Sequence, residues 1–282
     1  MTELWLFRVR IRIHLLFWAV IGLSIATGYF IEVITLFVIV LIHELGHVAV
    51  AREVGWKITE IQLLPFGGVA SVEDEASAEP LDEIVVALAG PFMNMAMIFI
   101  SFLFWWSGLW TTEWTAFFMK SNLLVAGFNL IPIWPLDGGR IVQALLTFVL
   151  PYRQASYLSL GSSCLFSALL FGVGLIDWQV NLMTIGAYLA IVNIQAFLRF
   201  PYQFMRFLMG KYLRESDRLR IQSIPVEPTM STIQAAYLMY KGCSHLFFVR
   251  TDSAGVFIHE SELLHALLIE QRHQESIGKI LS

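Results

Sequence analysis

The sequence predicts a polytopic all-α membrane domain of six transmembrane helices, followed by a small α/β unit at the C-terminal end. Three observations carry this prediction. The chain is 57% hydrophobic and only 14% charged, with 9 Trp and 22 Phe, a balance that excludes an ordinary soluble domain. Two long runs, residues 84–112 and 178–198, contain no charged residue at all. After Leu198 the composition turns abruptly polar and basic, which marks a change of environment.

A span needs about 20 mostly apolar residues to cross a hydrocarbon core of about 30 Å. Six segments meet this requirement, near 13–30, 33–52, 84–107, 115–135, 155–176 and 179–198. Arg8, Arg10 and Arg12 precede the first and give it a superficial likeness to a signal peptide. No small-residue cleavage site ends that segment, so it reads as a retained first span. The fourth contains Lys120, whose ammonium can snorkel to the interface from near a helix end.

Charge then fixes an orientation. With the N-terminus cytoplasmic, the inner side receives Arg8, Arg10, Arg12, Arg52, Lys57, Arg140, Arg153, Arg199, Arg206, Lys211, Arg214, Arg218, Arg220 and the four basic residues beyond 221. Of the 18 Lys and Arg only Lys120 is left for the other side, whose loops carry Glu32, Glu113 and Asp177. Both termini are therefore expected in the cytoplasm. Cys164 lies in an apolar segment and Cys243 in the polar tail, so no disulfide framework is expected. The net charge of −4 shows no nucleic-acid footprint.

Within the second span lies His43-Glu44-Leu45-Gly46-His47. On a helix the i, i+4 spacing stacks both imidazoles on one face, one turn apart, where they can share one tetrahedral zinc ion. Glu44, beside the first His, can then accept a proton from a water at that ion. The alternative is a pair of buried His satisfied by neighbouring helices. Location weighs against it, because ionisable side chains at membrane depth are costly and are retained for function.

A catalytic zinc needs a third protein ligand and an open position. Asp137 is the one aspartate in the membrane half placed at a predicted span end on the same side as His43 and His47. Pro132 and Pro135 break the fourth span, and Gly138 and Gly139 permit a tight turn that would bring Asp137 toward a neighbouring helix. Arg140 is either an orienting partner of Asp137 or a membrane-edge anchor.

HELGH in a span, followed by Asn129-Leu-Ile-Pro-Ile-Trp-Pro-Leu-Asp-Gly-Gly139, resembles the site-2 protease family of intramembrane zinc metalloproteases. The segment Ala89-Gly90-Pro91-Phe92-Met93-Asn94 is similar to that family's third motif. The resemblance implies zinc held by His43, His47 and Asp137, with Glu44 as general base. It also implies that Asn129 contacts substrate near the metal, where its amide can donate to a developing oxyanion. In loop 53–82, residues 56–64 partly alternate, and Leu64-Pro-Phe-Gly-Gly-Val-Ala70 reads as a turn into a short strand. An edge strand there would align an unwound substrate by strand addition.

Residues 199–220 combine Phe200, Phe204, Phe207, Leu208 and Leu213 with basic residues, the pattern of an interfacial or linker helix on an anionic leaflet. Residues 221–282 form a small soluble unit. Helices are expected over 229–240 and 261–270, with strands over 245–250 and 256–259. This β-α-β-β-α order resembles a CBS motif, a module that often binds adenine nucleotides in pairs. It departs from that family at Ser261, followed three residues later by Leu264 where an Asp or Asn usually meets the ribose. A motif of about 60 residues has little core of its own, so pairing with a second copy as a homo-oligomer is expected. The three-part division is thus 1–198, 199–220 and 221–282.

A six-span core with such a module resembles the sporulation type of site-2 protease. It implies a membrane-associated proprotein substrate, a sigma-factor precursor, together with inhibitory membrane proteins as partners. Two alternatives stay open: a zinc or ion transporter lined by the same His and Asp, and a catalytically silent membrane scaffold of the same fold.

Overall fold

The computed structural model describes residues 2–6, 9–13, 15–56, 58–64, 67–72, 78–213, 220–250 and 255–279, and the side chains of 21–56, 78–213, 220–250 and 255–279. His14 and the acidic run Glu73 to Glu75 lie outside the described residues. The chain forms two compact units. The first comprises Met1–Glu75, Asp82–Pro132 and Leu136–Ile141; the second comprises Ala76–Leu81, Ile133–Pro135 and Val142–Ser282.

In the first unit, β1 (Thr2–Leu6) and β2 (Val9–Ile13) make an antiparallel hairpin that leads into α1 (Leu15–Thr27) and α2 (Phe30–Glu53). Then come β3 (Ile58–Leu64) and β4 (Gly67–Val72), an antiparallel pair in which Gly67 and Gly68, expected in the turn, open β4 and pair with Leu64 and Leu63. β2 pairs with β3 in parallel, so the four strands form one sheet in the order β1-β2-β3-β4. The N-terminal hairpin was not expected from the sequence, where Arg10 and Arg12 read as part of a charged flank. Their alternation with Val9, Ile11 and Ile13 is the period-2 pattern of a strand with one polar face.

Helices α3 (Pro80–Trp106) and α4 (Thr112–Asn129) follow. Thr111 caps α4, its hydroxyl accepting from the Trp114 N–H at 3.3 Å. Helix α5 (Asp137–Thr147) begins at the residue expected to sit in a turn. The expectation of a turn at Gly138-Gly139 is thus corrected. A Cβ at Gly138 would fall 2.2 Å from the Leu130 carbonyl oxygen, so glycine here serves close backbone approach within the first turn of a helix.

In the second unit, α6 (Tyr152–Ile176) and α7 (Val180–Leu213) pack closely as a hairpin. A Cβ at Gly174 or Gly186 would strike the facing backbone at 2.7 and 2.6 Å, which is why both positions lack one. Beyond α7 come β5 (Ile221–Val226), α8 (Thr232–Ala236), β6 (Ser244–Arg250), β7 (Gly255–His259) and α9 (Glu260–Leu268). β5 and β6 are parallel, β6 and β7 antiparallel. The expected β-α-β-β-α order is present. Its first helix is shorter than expected, starting at a capping box in which Ser231 and Gln234 exchange side-chain and backbone hydrogen bonds.

Helix α7 runs unbroken for 34 residues through Pro201 and does not stop at 198. Phe200, Phe204, Phe207 and Leu208, read from the sequence as a leaflet-facing set, are buried instead. They form one core with Tyr152, Phe247, Val249, Ile258, Leu263, Leu264 and Ile277. Full burial of each such side chain contributes about 1.5–3 kcal/mol, which favours a protein core over a place among lipid headgroups.

Helices stand at all six positions expected of spans. Among the described residues, four are long and apolar enough to cross a membrane: α2, α3, α6 and α7. They expose large apolar side chains such as Phe92, Phe99, Leu165 and Ile191, which water would not tolerate in such numbers and lipid does. The chain is a multi-pass membrane protein. Helices α1 and α4, of 13 and 18 residues, stand at the other two expected positions and are not among those four.

Candidate metal centre

All parts of the site belong to the first unit. One helical turn of α2 places His43 and His47 on one face with their Nε2 atoms 3.2 Å apart. Asp137, at the start of α5, brings Oδ2 to 3.2 Å from each. His43 is 1% exposed and Asp137 9%. Glu44 is half-buried on the same helix, close enough to His47 to act on it electrostatically.

The hydrogen bonds behind the rings fix their protonation. His47 Nδ1 lies 2.7 Å from the Val86 carbonyl oxygen, which only accepts, so Nδ1 carries the proton. His43 Nδ1 lies 2.5 Å from Asn94 Oδ1, whose amide nitrogen is committed to Asn122 Oδ1 at 3.0 Å. This ring too is protonated at Nδ1. Each Nε2 therefore presents a lone pair, and both lone pairs converge with a carboxylate oxygen on one point.

That convergence is repulsive unless a cation occupies the point. Asp137 Oδ2 is buried and has no hydrogen-bond partner, an expensive state that a metal ion removes. Three ligands at zinc bond lengths of about 2.0–2.1 Å span tetrahedral edges of about 3.3–3.4 Å, close to the three spacings seen. Two imidazoles and one carboxylate, on three residues that could hold a metal ion together, suit zinc.

Space around the ligands is also shaped for them. A Cβ on Gly90 would lie 2.3 Å from His47 Nε2 and 2.7 Å from His43 Cε1. One on Gly46 would meet the Ala89 carbonyl oxygen at 2.9 Å. These two glycines let α2 and α3 approach until α3 can support both rings.

Of the residues singled out from sequence, His43, His47 and Asp137 meet, with Glu44 beside them. Asn129 ends α4 half-buried, and its amide donates to the Val125 carbonyl of its own helix at 3.0 Å, engaging one of the donors assigned to an oxyanion. The sequence reading missed the support given by Val86, Asn94 and Asn122 and the clearance at Gly90. Asn94 was signalled by its place in the motif-like segment Ala89–Asn94, although its role behind His43 was not read; Asn122, which follows Lys120 and Ser121 in α4, carried no signal of its own.

The model of peptidase family M50 matches residues 31–112 and 104–170. Stage IV sporulation protein FB of Bacillus subtilis is 30% identical over 279 residues, covering 97% of this chain and 96% of that protein. A zinc metalloprotease of Methanocaldococcus jannaschii is 36% identical over 165 residues, 55% of this chain and 47% of that protein. Among solved structures, the site-2 protease from Methanocaldococcus jannaschii matches with a TM-score of 0.56 at 30% identity, covering 69% of this chain and 94% of the other. With membrane helices, a two-His, one-Asp cradle and this kinship along nearly its whole length, the chain belongs to peptidase family M50, the site-2 proteases, and is an intramembrane zinc metalloprotease.

Proposed function

We propose that this enzyme hydrolyses one peptide bond of a membrane-associated proprotein at a zinc ion held by His43, His47 and Asp137. The observation that carries the assignment is the unpartnered, buried Oδ2 of Asp137, 3.2 Å from two imidazole lone pairs. Zinc bound there supplies Lewis acidity at the scissile carbonyl and toward the attacking water. Glu44 takes the proton that this water gives up and delivers it to the nitrogen of the leaving amine. Val86 and Asn94 keep both imidazoles turned with Nε2 inward. Asn129, at the end of α4, holds substrate backbone or the developing oxyanion once its bond to Val125 is exchanged.

Glu44→Gln is the deciding experiment. The purified full chain is expected to keep one zinc per subunit and to lose about 10²–10⁴-fold in cleavage of a membrane-tethered peptide. A transporter would retain flux, and a silent scaffold would show no cleavage to lose. Cleavage at the wild-type rate in this variant would overturn the assignment.

Several finer readings accompany it. The excess of Lys and Arg on one set of loops supports cytoplasmic termini and a zinc site toward the cytoplasmic face. The name of the Bacillus subtilis relative supports a role in sporulation, and the resemblance to the sporulation type of site-2 protease adds a sigma-factor precursor as substrate and inhibitory membrane proteins as partners. Strand β4 ends its sheet and so offers an edge to an unwound substrate. Single prolines along 67–72 are then expected to raise KM, and unchanged kinetics would count against strand addition. The β-α-β-β-α unit supports a CBS-like module that pairs with a second copy, while buried Leu264, in place of the usual Asp or Asn, argues against an adenine-nucleotide site there.

A further inference from the structure

We infer that Asn122 of α4 is a positioning residue for the metal centre, setting the His43 imidazole through Asn94. This rests on the zinc reading above. Asn94 and Asn122 are each 0% exposed, and the chemistry of hydrolysis uses neither amide. Buried primary amides are costly unless their hydrogen bonds are made.

The bonds run in one direction. His43 Nδ1–H donates to Asn94 Oδ1 at 2.5 Å, Asn94 Nδ2 donates to Asn122 Oδ1 at 3.0 Å, and Asn122 Nδ2 donates to the Phe118 carbonyl at 2.9 Å. The last acceptor is the key to the chain. A helix carbonyl cannot donate and cannot turn, so it forces the Asn122 amide nitrogen toward itself and Oδ1 toward Asn94. Asn94 must then present its own nitrogen to Asn122 and its oxygen to His43.

Without Asn122 nothing distinguishes the two faces of the Asn94 amide. Its flipped form points N–H at His43 Nδ1 and favours the tautomer protonated at Nε2. That proton sits where the metal must bind. His47 has no such weakness, because its Nδ1 proton goes directly to the Val86 backbone. The two ligands therefore differ: one is set by backbone, the other by a relay of two side chains anchored at Phe118. Groups that orient a metal-bound imidazole typically contribute 10–100-fold in metal affinity.

The test is zinc affinity of the purified, detergent-solubilised full chain, measured by competition with a chromophoric chelator, with kcat and KM measured beside it. Asn122→Leu is expected to weaken zinc binding about 10-fold or more and to lower kcat with little change in KM. Asn122→Asp is expected to stay within about threefold of wild type, because a buried neutral carboxyl can donate to Phe118 and accept from Asn94. The double variant Asn94→Ala/Asn122→Leu should bind zinc no more weakly than Asn94→Ala alone, since Asn122 acts through Asn94. A merely structural role would instead multiply the two losses, and that result, or wild-type affinity in Asn122→Leu, overturns the inference. If Asn122→Leu does not fold, Asn122→Ala carries the same expectation and the same refutation. His43→Ala serves as reference: if it retains wild-type zinc affinity the metal reading fails too, whereas if it loses zinc and Asn122→Leu does not, only this inference fails.

Discussion

Two clusters of buried ionisable side chains among the described residues are built on opposite plans. In the first unit, His43, His47 and Asp137 aim lone pairs at a common point and leave Asp137 Oδ2 without a hydrogen bond. In the second, Glu260 Oε2 receives three: from the His245 backbone N–H at 3.0 Å, from His245 Nδ1 at 2.8 Å and from Lys211 Nζ at 3.0 Å. Lys211 also donates to the Cys243 carbonyl at 2.6 Å, and His245 Nε2 accepts from the Tyr240 N–H. The first cluster is incomplete as protein alone. The second is closed upon itself and joins α7, β6 and α9. Burial and unusual residues mark both, so neither property identifies a site; convergence without satisfaction does.

The largest expected effect separates the two directly. Asp137→Ala should abolish stoichiometric zinc and lower cleavage by about 10³-fold or more, because it removes one of three ligands. The same change should not lower, and is expected to raise, the melting temperature of the metal-free protein, since it relieves an uncompensated buried carboxylate. Glu260→Ala should do the reverse. It is expected to leave zinc affinity of the solubilised chain unchanged and to cost about 3–5 kcal/mol of stability, the penalty for stranding a buried Lys without its partner. Thermal melts and metal titrations on both variants would dissolve the distinction if either change affected both readouts alike.

Gly90→Ala comes next. The added methyl would overlap His47 Nε2, and displacing a ligand by about 1 Å is worth about 10²-fold in rate. Gly172→Ala is the matched control, with nothing within 4 Å of the added carbon. It should be neutral in activity. Equal activity losses in the two variants would show that the clearance at Gly90 does not serve the metal site.

The cradle was legible in outline because its two His lie one turn apart on a single helix, where spacing is geometry. Asp137 was legible from its place at a span end. What supports them was legible only in part: Asn94 closes the motif-like segment Ala89–Asn94, whereas Val86 and Asn122 reach the site through packing of α2, α3 and α4, which no local pattern records. Elsewhere the failures share a physical cause. At β2, alternating Arg and apolar residues were read by charge when period was the better guide. At Gly138-Gly139, low helix propensity was read as a turn, although close packing overrides propensity. Along α7, basic residues drew attention to a membrane surface, while Phe200, Phe204 and Phe207 on the same helix went into a core that lies far along the sequence.

The smallest expected effect is a pH dependence confined to the closed cluster. Burial by itself would raise the Glu260 carboxyl, but the hydrogen bond from His245 and the Lys211 ammonium outweigh it and hold the group below its ordinary value of 4.5. A carboxyl depressed in the folded state binds its proton more readily when unfolded. The stability it contributes is thus fully present above about pH 4.5 and is lost as pH falls through the lower native value. Melting of the wild-type chain is expected to drop with acidification only below about pH 4.5, and melting of Glu260→Gln to drop less steeply over the same interval. Between pH 7 and pH 5 the two should differ by a constant offset, because Glu260 stays ionised in both folded and unfolded wild-type chains. A gap that already narrows in that upper interval would mean the carboxyl is not held low, and the second cluster would no longer count as electrostatically satisfied.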